Sequence, residues 1–303
     1  MVETPVLIAT FARPEYARKT FDAIKKAKPK KLYFYSNKAR EDNPEEIKRN
    51  KEVRALVKEI DWDCELKTWF RDEYVDVFTS LWGAYDWVFD NEEQAIILEE
   101  DCVASLAFFD FCDQLLPKYK DDLRVWLISG NNFIEGYNPS GYDYIFSKFP
   151  YLYGWASWSS RWNSIYRNGF PKKEVLNNGI INYIYPSNKY RKISKEIFKR
   201  NIDAWTNIWD YSFTWTMKLN HGFGIIPIKN LVKNIGIDGF HNKQENKLYH
   251  NRKLYTKQKY NIIKTPPYIA PDYRYDMRFL KIIYKSPVKN RLKRIIKKII
   301  YGN

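Results

Sequence analysis

Short apolar runs alternating with amphipathic stretches dominate the first third of the chain, and this alternation limits the fold more than any other feature. Val6-Leu7-Ile8-Ala9-Thr10 is apolar and ends in small residues. Pro14 to Lys26 follows with Tyr16, Ala17, Phe21 and Ile24 at helical spacing, and then Lys31 to Tyr35 is apolar again. Pro44 to Glu59 reads as a charged amphipathic helix with Ile47, Val53, Leu56 and Val57 on one face. A β-like segment spans Cys64 to Thr68, Val75 to Phe89 is helical, and Gln94 to Leu98 is a third apolar run. Runs this short and uniformly apolar are strands buried on both faces. Strands alternating with helices give an α/β fold, a mostly parallel sheet flanked by helices with right-handed crossovers. Ligands gather beyond the carboxyl ends of such strands. Thr10 to Arg13, Ser36 to Arg40 and Glu99 to Asp101 are therefore expected to meet in one crevice.

Beyond Ser105 the pattern loosens. Phe108 to Tyr119 reads as helix, Val125 to Ser129 as strand, and Tyr142 to Trp162 as aromatic and strand-like. Residues 172–201 are polar and basic, and read as an insertion or flexible loop. Trp209 to Leu219 is a helix and Gly224 to Ile228 a strand, while past Lys243 the pattern thins, with a break at Pro266-Pro267. The expected division is a catalytic domain over 1–242 and a C-terminal extension over 243–303.

The net charge of +15 calls for an anionic partner. Much of it sits near the C-terminus, where Leu292, Ile295, Ile296 and Ile299 fall on one helical face among lysines and arginines. Such a basic amphipathic helix lies on anionic membrane surfaces or docks on its own domain. Residues 285–301 are the candidate membrane contact. The aromatic content of 17% suits either sugar stacking or core packing. No nucleic-acid motif is present, so nucleic acid is not expected as a partner. The three cysteines form no framework, which fits a reducing compartment. With no visible signal peptide and no apolar run long enough to span a bilayer, the expectation is a cytoplasmic protein, free or peripheral on the membrane's inner face.

Ile96-Ile97-Leu98-Glu99-Glu100-Asp101 is the most informative stretch, an apolar strand ending in three acids. Strand alternation puts Glu99 and Asp101 on one face and Glu100 on the other. Adjacent carboxylates repel, and a hard divalent ion such as Mg²⁺ or Mn²⁺ relieves them. The alternative is a solvated strand end.

With Cys102 following, this stretch resembles the metal motif of bacterial GT-A glycosyltransferases related to N-acetylglucosaminyltransferase I. The likeness continues through Thr10-Phe11-Ala12-Arg13-Pro14, Ile128-Ser129-Gly130-Asn131-Asn132-Phe133 and Gly154-Trp155-Ala156-Ser157-Trp158. It ends with Trp209-Asp210-Tyr211 and Pro227 to Gly236, and spans roughly residues 5–242. The resemblance implies a GT-A (Rossmann-like) fold and an inverting, metal-dependent transfer of a hexosyl or N-acetylhexosaminyl group. The donor would be a nucleotide-diphosphate sugar, UDP-sugar favoured, and the acceptor a glycan or lipid-linked glycan of polysaccharide biosynthesis. It makes Asp101 the metal ligand, Glu99 and Glu100 contacts to ribose or the metal's water shell, and Asp210 the base. His241 is a second metal candidate. Thr10, Arg13, Asn37 and Arg71 are assigned to the donor, and Asn131, Asn132, Trp155, Trp158 and Trp209 to the sugar pocket. The two tryptophans of Trp155-Ala156-Ser157-Trp158 point to opposite sides, so one is a platform and the other core. The chain departs from the family at Ser36-Asn37-Lys38, where relatives carry Ser-Asp-Gly, and at Arg71-Asp72-Glu73, where they carry Asn-Leu-Gly after the Arg.

Two rival readings share these features. A nucleotidyltransferase also uses carboxylate-held Mg²⁺ but needs a Gly-rich loop after the first strand, and Ala9 to Arg13 has no glycine. A non-catalytic glycan-binding or nucleic-acid-binding protein on a GT-A-like scaffold is the other.

Overall fold

A computed structural model describes residues 1–166, 172–201, 208–236 and 252–284. Ten strands are present among them: β1 (Val6–Thr10), β2 (Lys31–Ser36), β3 (Glu65–Phe70), β4 (Gln94–Glu99), β5 (Cys102–Ala104), β6 (Val125–Ser129), β7 (Tyr144–Ser147), β8 (Trp155–Trp158), β9 (Phe223–Pro227) and β10 (Val232–Asn234). Eight form one sheet in the order β3-β2-β1-β4-β8-β6-β9-β7, and β5 pairs with β10. β8 and β7 run against their neighbours, while the other pairs in the sheet are parallel. The fold is α/β with a mostly parallel sheet flanked by helices, as the strand–helix alternation requires.

Helices α1 (Pro14–Ala27), α2 (Pro44–Ala55) and α3 (Val77–Asn91) connect the first four strands. Pro14 opens α1, where its fixed φ suits a first helical position. Asn43 caps α2 by accepting from the Glu46 N–H, and Asp76 caps α3 by accepting from Phe78 and Thr79. These caps satisfy backbone donors that helix geometry leaves unpaired. Helix α4 (Leu106–Tyr119) joins α1 and α2 over one face of the sheet, packing Phe21, Ile24, Val53 and Phe108 onto Ile96 and Leu98. The short α5 (Ser159–Trp162) follows β8. Tyr85, Val88 and Phe89 of α3 and Trp162 of α5 cover Ala95 and Ile97 on the other face.

Residues 172–201 depart from expectation. They form α6 (Lys172–Asn177), α7 (Ile180–Ile184) and α8 (Asn188–Asn201). Val175, Ile181, Ile184, Tyr190 and Phe198 are buried in a third core with Phe133, Ile145 and Trp215. Their apolar residues are sparse among lysines, so the helical period stands out only against the surface it meets. Helix α9 (Trp209–Leu219) supplies Phe213 and Met217 to the second core and Trp215 to the third.

The described C-terminal residues return to the cores built by the earlier part of the chain. Tyr260 packs in the first core against Phe111. Helix α10 (Tyr273–Ile283) buries Tyr275, Phe279 and Leu280 in the third. Its Asp276 accepts from Ser147 Oγ at 2.5 Å and from the Lys148 N–H. Among the described residues, 252–284 thus pack into the same cores as the residues before them. The basic stretch 285–301 lies outside the described residues. No helix among those described is long and apolar enough to cross a membrane. All three cysteines are free.

Candidate active site

β4 ends at Glu99, and Glu100 and Asp101 form the turn into β5. The strand, and with it the alternation of its side chains, stops there. Glu100 and Asp101 both turn to Arg13, at 2.6 and 2.9 Å. Glu100 also accepts the Phe11 N–H at 2.8 Å, and its carbonyl accepts Thr20 Oγ1, which locks the β1–α1 loop to the end of β4. Asp101 Oδ1 accepts from Asn234 Nδ2 at 3.1 Å, and its carbonyl accepts the Ile235 N–H.

Glu99 accepts from the Tyr85 hydroxyl at 3.1 Å. Its side chain keeps some access to solvent but is ringed by protein atoms. Burial raises its pKa to about 8, the charges of Asp101 and Asp210 add to that, and Tyr85 and Arg13 oppose it. Tyr85 is itself pushed well above the usual phenol range, first by burial and then by the charge of Glu99. The charges of Asp101, Asp210 and Arg13 therefore all reach Glu99.

Asp210 lies in the first turn of α9, beside Trp209. Trp209 stacks on Trp155 at 5.4 Å and meets the Tyr85 ring edge-on at 4.8 Å. An aromatic column therefore joins the Asp210 turn to the helix carrying the Glu99 partner. Trp155 and Trp158 do lie on opposite faces, but both are about 1% exposed. Neither is an open platform: Trp158 donates its indole N–H to the Leu116 carbonyl on the far face. Asn131 and Asn132 also turn inward. Asn131 bonds the Val232 carbonyl and the Tyr153 N–H, and Asn132 bonds the Pro227 and Ile228 carbonyls and the Ile134 N–H. They pin the β6, β9 and β10 connections with amides that have few bonds left for sugar.

Of the residues expected to meet a donor, Thr10 donates its Oγ1 hydroxyl to the Tyr35 carbonyl, so it links β1 to β2. Asn37 shapes its own loop, donating to the Val75 carbonyl and accepting the Lys38 N–H. Arg71 donates to the Tyr35 hydroxyl at 2.6 Å and lies over Trp69. Gly83 makes room for it, because a Cβ there would stand 2.5 Å from an Arg71 nitrogen. His241 lies outside the described residues.

Three features were missed from sequence. Asn50 donates to the Phe11 and Asn37 carbonyls at 2.5 and 2.9 Å. Arg54, one helical turn on, reaches the Asn37 and Arg71 carbonyls at 3.2 and 3.0 Å. Together they tie the carboxyl ends of β1, β2 and β3 to α2, and their i, i+4 spacing was the available signal. Tyr74, partly exposed, meets the Phe11 ring at 6.1 Å with Arg40 over its face. Tyr85 was hidden among the core aromatics of α3.

Among the described residues no three acid, imidazole or thiol groups form a ready-made metal cage. An ion held largely by substrate phosphates needs only one or two protein carboxylates. Glu99, the last residue of β4, and Asp101, two residues on in the turn, are hard oxygen donors. In charge and ligand type the residues fit a divalent cation.

No family model matches the chain, and no curated protein is similar to it in sequence. Solved structures overlap it in part. A mannosyltransferase from Pyrobaculum calidifontis, in complex with GDP-Man and Mn²⁺, shares 12% identity over 53% of this chain at a TM-score of 0.35. That overlap takes in 46% of the mannosyltransferase, less than half of its length. Mouse xyloside xylosyltransferase 1 overlaps 73% of this chain and 83% of its own, at 10% identity and a TM-score of 0.37. The glycosyltransferase GlyE of Streptococcus pneumoniae overlaps 66% of this chain and 44% of its own, at 15% identity and 0.28.

Proposed function

We propose that this chain is an inverting, metal-dependent glycosyltransferase that moves a sugar from a nucleotide-diphosphate donor, UDP-sugar favoured, to a glycan or lipid-linked glycan. The observation that carries the reading is the cluster of Glu99, Glu100 and Asp101 where β4 ends, with Arg13 bonded to Glu100 and Asp101 and Tyr85 bonded to Glu99, and with the charge of Asp210 reaching Glu99 from α9. Acids from two distant parts of the chain act on one point, beside a loop held by Glu100, Asn50 and Arg54.

In this reading Glu99 and Asp101 hold Mn²⁺ or Mg²⁺, with His241 as a further candidate. The ion, when bound, offsets the charge that develops on the leaving diphosphate. Asp210 accepts the proton of the acceptor hydroxyl as its oxygen attacks the anomeric carbon. Tyr85 orients Glu99 through its hydroxyl. Arg13 and Arg71 are assigned to the donor, and the exposed edge of Tyr74 to the crevice rim. Trp209 positions Asp210 from behind. Residues 285–301 are assigned to an anionic membrane surface, where a lipid-linked acceptor would lie.

Thermal unfolding against a panel of nucleotides and nucleotide sugars, with and without Mn²⁺, tests this. A rise in melting temperature with one nucleotide sugar that needs Mn²⁺ and is lost in Asp101→Ala supports the reading and names the donor. Stabilisation by free glycan or oligonucleotide alone, with no response to any nucleotide, would falsify it in favour of a binding protein.

A further inference from the structure

Arg13 links the β1–α1 loop to the turn after β4 by a fork whose two arms are held differently. One arm is Nε to Glu100 Oε1 at 2.6 Å, and the Phe11 N–H holds the other oxygen of that carboxylate. The second arm is Nη2 to Asp101 Oδ2 at 2.9 Å, on the carboxylate assigned above to the metal. Asp101 Oδ1 already accepts from Asn234, so both of its oxygens are in use. The chain also closes over this pair: a Cβ on Gly236 would stand 2.3 Å from Asp101 Oδ2 and 3.3 Å from Arg13 Nη1. The Arg13 side chain is about 31% exposed and rests on the Tyr16 ring, so the guanidinium has a route to solvent.

An oxygen that accepts a short, charge-assisted bond cannot serve a second cation at full strength. We propose that Arg13 is a tethered counter-ion that competes with the divalent ion for Asp101, so that metal entry and release of the Asp101 arm are one exchange. The inference rests on the metal reading of Asp101. Glu100 stays on its Phe11 bond throughout, and the exchange costs only the weaker arm. The freed guanidinium nitrogens then suit a diphosphate oxygen, which takes the place of Asp101. Metal and nucleotide each favour the other, because both draw on the same released state.

Mn²⁺ binding to the full chain, read from the electron paramagnetic resonance signal of free Mn²⁺, tests the exchange with and without UDP. Without nucleotide, Arg13→Ala is expected to bind Mn²⁺ roughly tenfold tighter than the wild type. Arg13→Lys, which keeps the charge but loses the fork, should fall between them. UDP should strengthen Mn²⁺ binding in the wild type more than in Arg13→Ala. Thermal unfolding checks that each variant folds, and Arg13→Gln replaces the alanine variant where it does not. Equal or weaker Mn²⁺ binding in the variants overturns the exchange and leaves the metal reading intact. If no form binds Mn²⁺, with or without UDP, the metal reading and the exchange fall together.

Discussion

The two sides of the candidate site are built by different physics. On the donor side the ends of β1, β2 and β3 and the turn after β4 are tied by side chains reaching backbone atoms: Asn50, Arg54 and Glu100. On the other side the Asp210 turn rests on stacked and edge-on rings, Trp209, Trp155 and Tyr85. Hydrogen bonds are directional and set loop geometry to tenths of an ångström, whereas aromatic packing supplies buried area and tolerates small slides. Under the proposed function, the first side would hold a rigid, charged donor, and the second a base that adjusts to its acceptor.

The comparison can be broken at its chemistry first. Asp210→Asn should lower the transfer rate by roughly 10²–10⁴-fold, the usual range for loss of a general base, while nucleotide-induced thermal shifts persist. Loss of nucleotide binding in that variant would place Asp210 on the donor side instead. Trp155→Ala attacks the aromatic side and should cost about 3–5 kcal/mol in urea unfolding, as for other large core truncations. A cost under about 1 kcal/mol would mean that the stack does not support α9.

Asp276 offers a polar pin inside an apolar core, unlike either side. Burial raises its pKa from 3.8 to about 7, against the pull of Ser147, the Lys148 N–H and the Lys148 charge. Between those values the folded chain holds a proton that the unfolded chain has lost, so stability falls as pH rises through the window. The contribution is fully present below the unfolded pKa and lost above about 7, on the order of 4 kcal/mol. Urea unfolding of wild type and Asp276→Asn from pH 4 to 8 reads it, because the asparagine variant should lack this slope. The smallest effect is expected for Asn50→Ala, which should cost about 1–2 kcal/mol and weaken nucleotide binding more than it lowers the maximal rate. An equal loss in both would show that Asn50 supports the whole site rather than the donor side.

Much of the donor side was legible in the chain. The apolar runs at β1, β2 and β4 and the acids after Leu98 are local signals, and they place the candidate site at the strand ends. Trp155 and Trp158 were read on opposite faces from their odd spacing, which strand alternation guarantees. Their burial was not legible, because it depends on α3 and α9 on one side and α4 on the other. Asn131 and Asn132 looked like sugar contacts because a polar pair after a strand is ambiguous until the neighbouring carbonyls are known. Helix α8 escaped because its buried face is defined by Trp215 and the residues around it, far along the chain.

The sequence alone determined the order of strands and helices, since hydrophobic period is a property of neighbouring residues. It also determined that acids stand at the end of β4. Only the tertiary structure decided which of those acids is neutralised. Arg13, 87 and 88 positions away, takes Glu100 and Asp101, and Glu99 is left to Tyr85. Charge compensation acts through space and depends on burial, so no local pattern carries it.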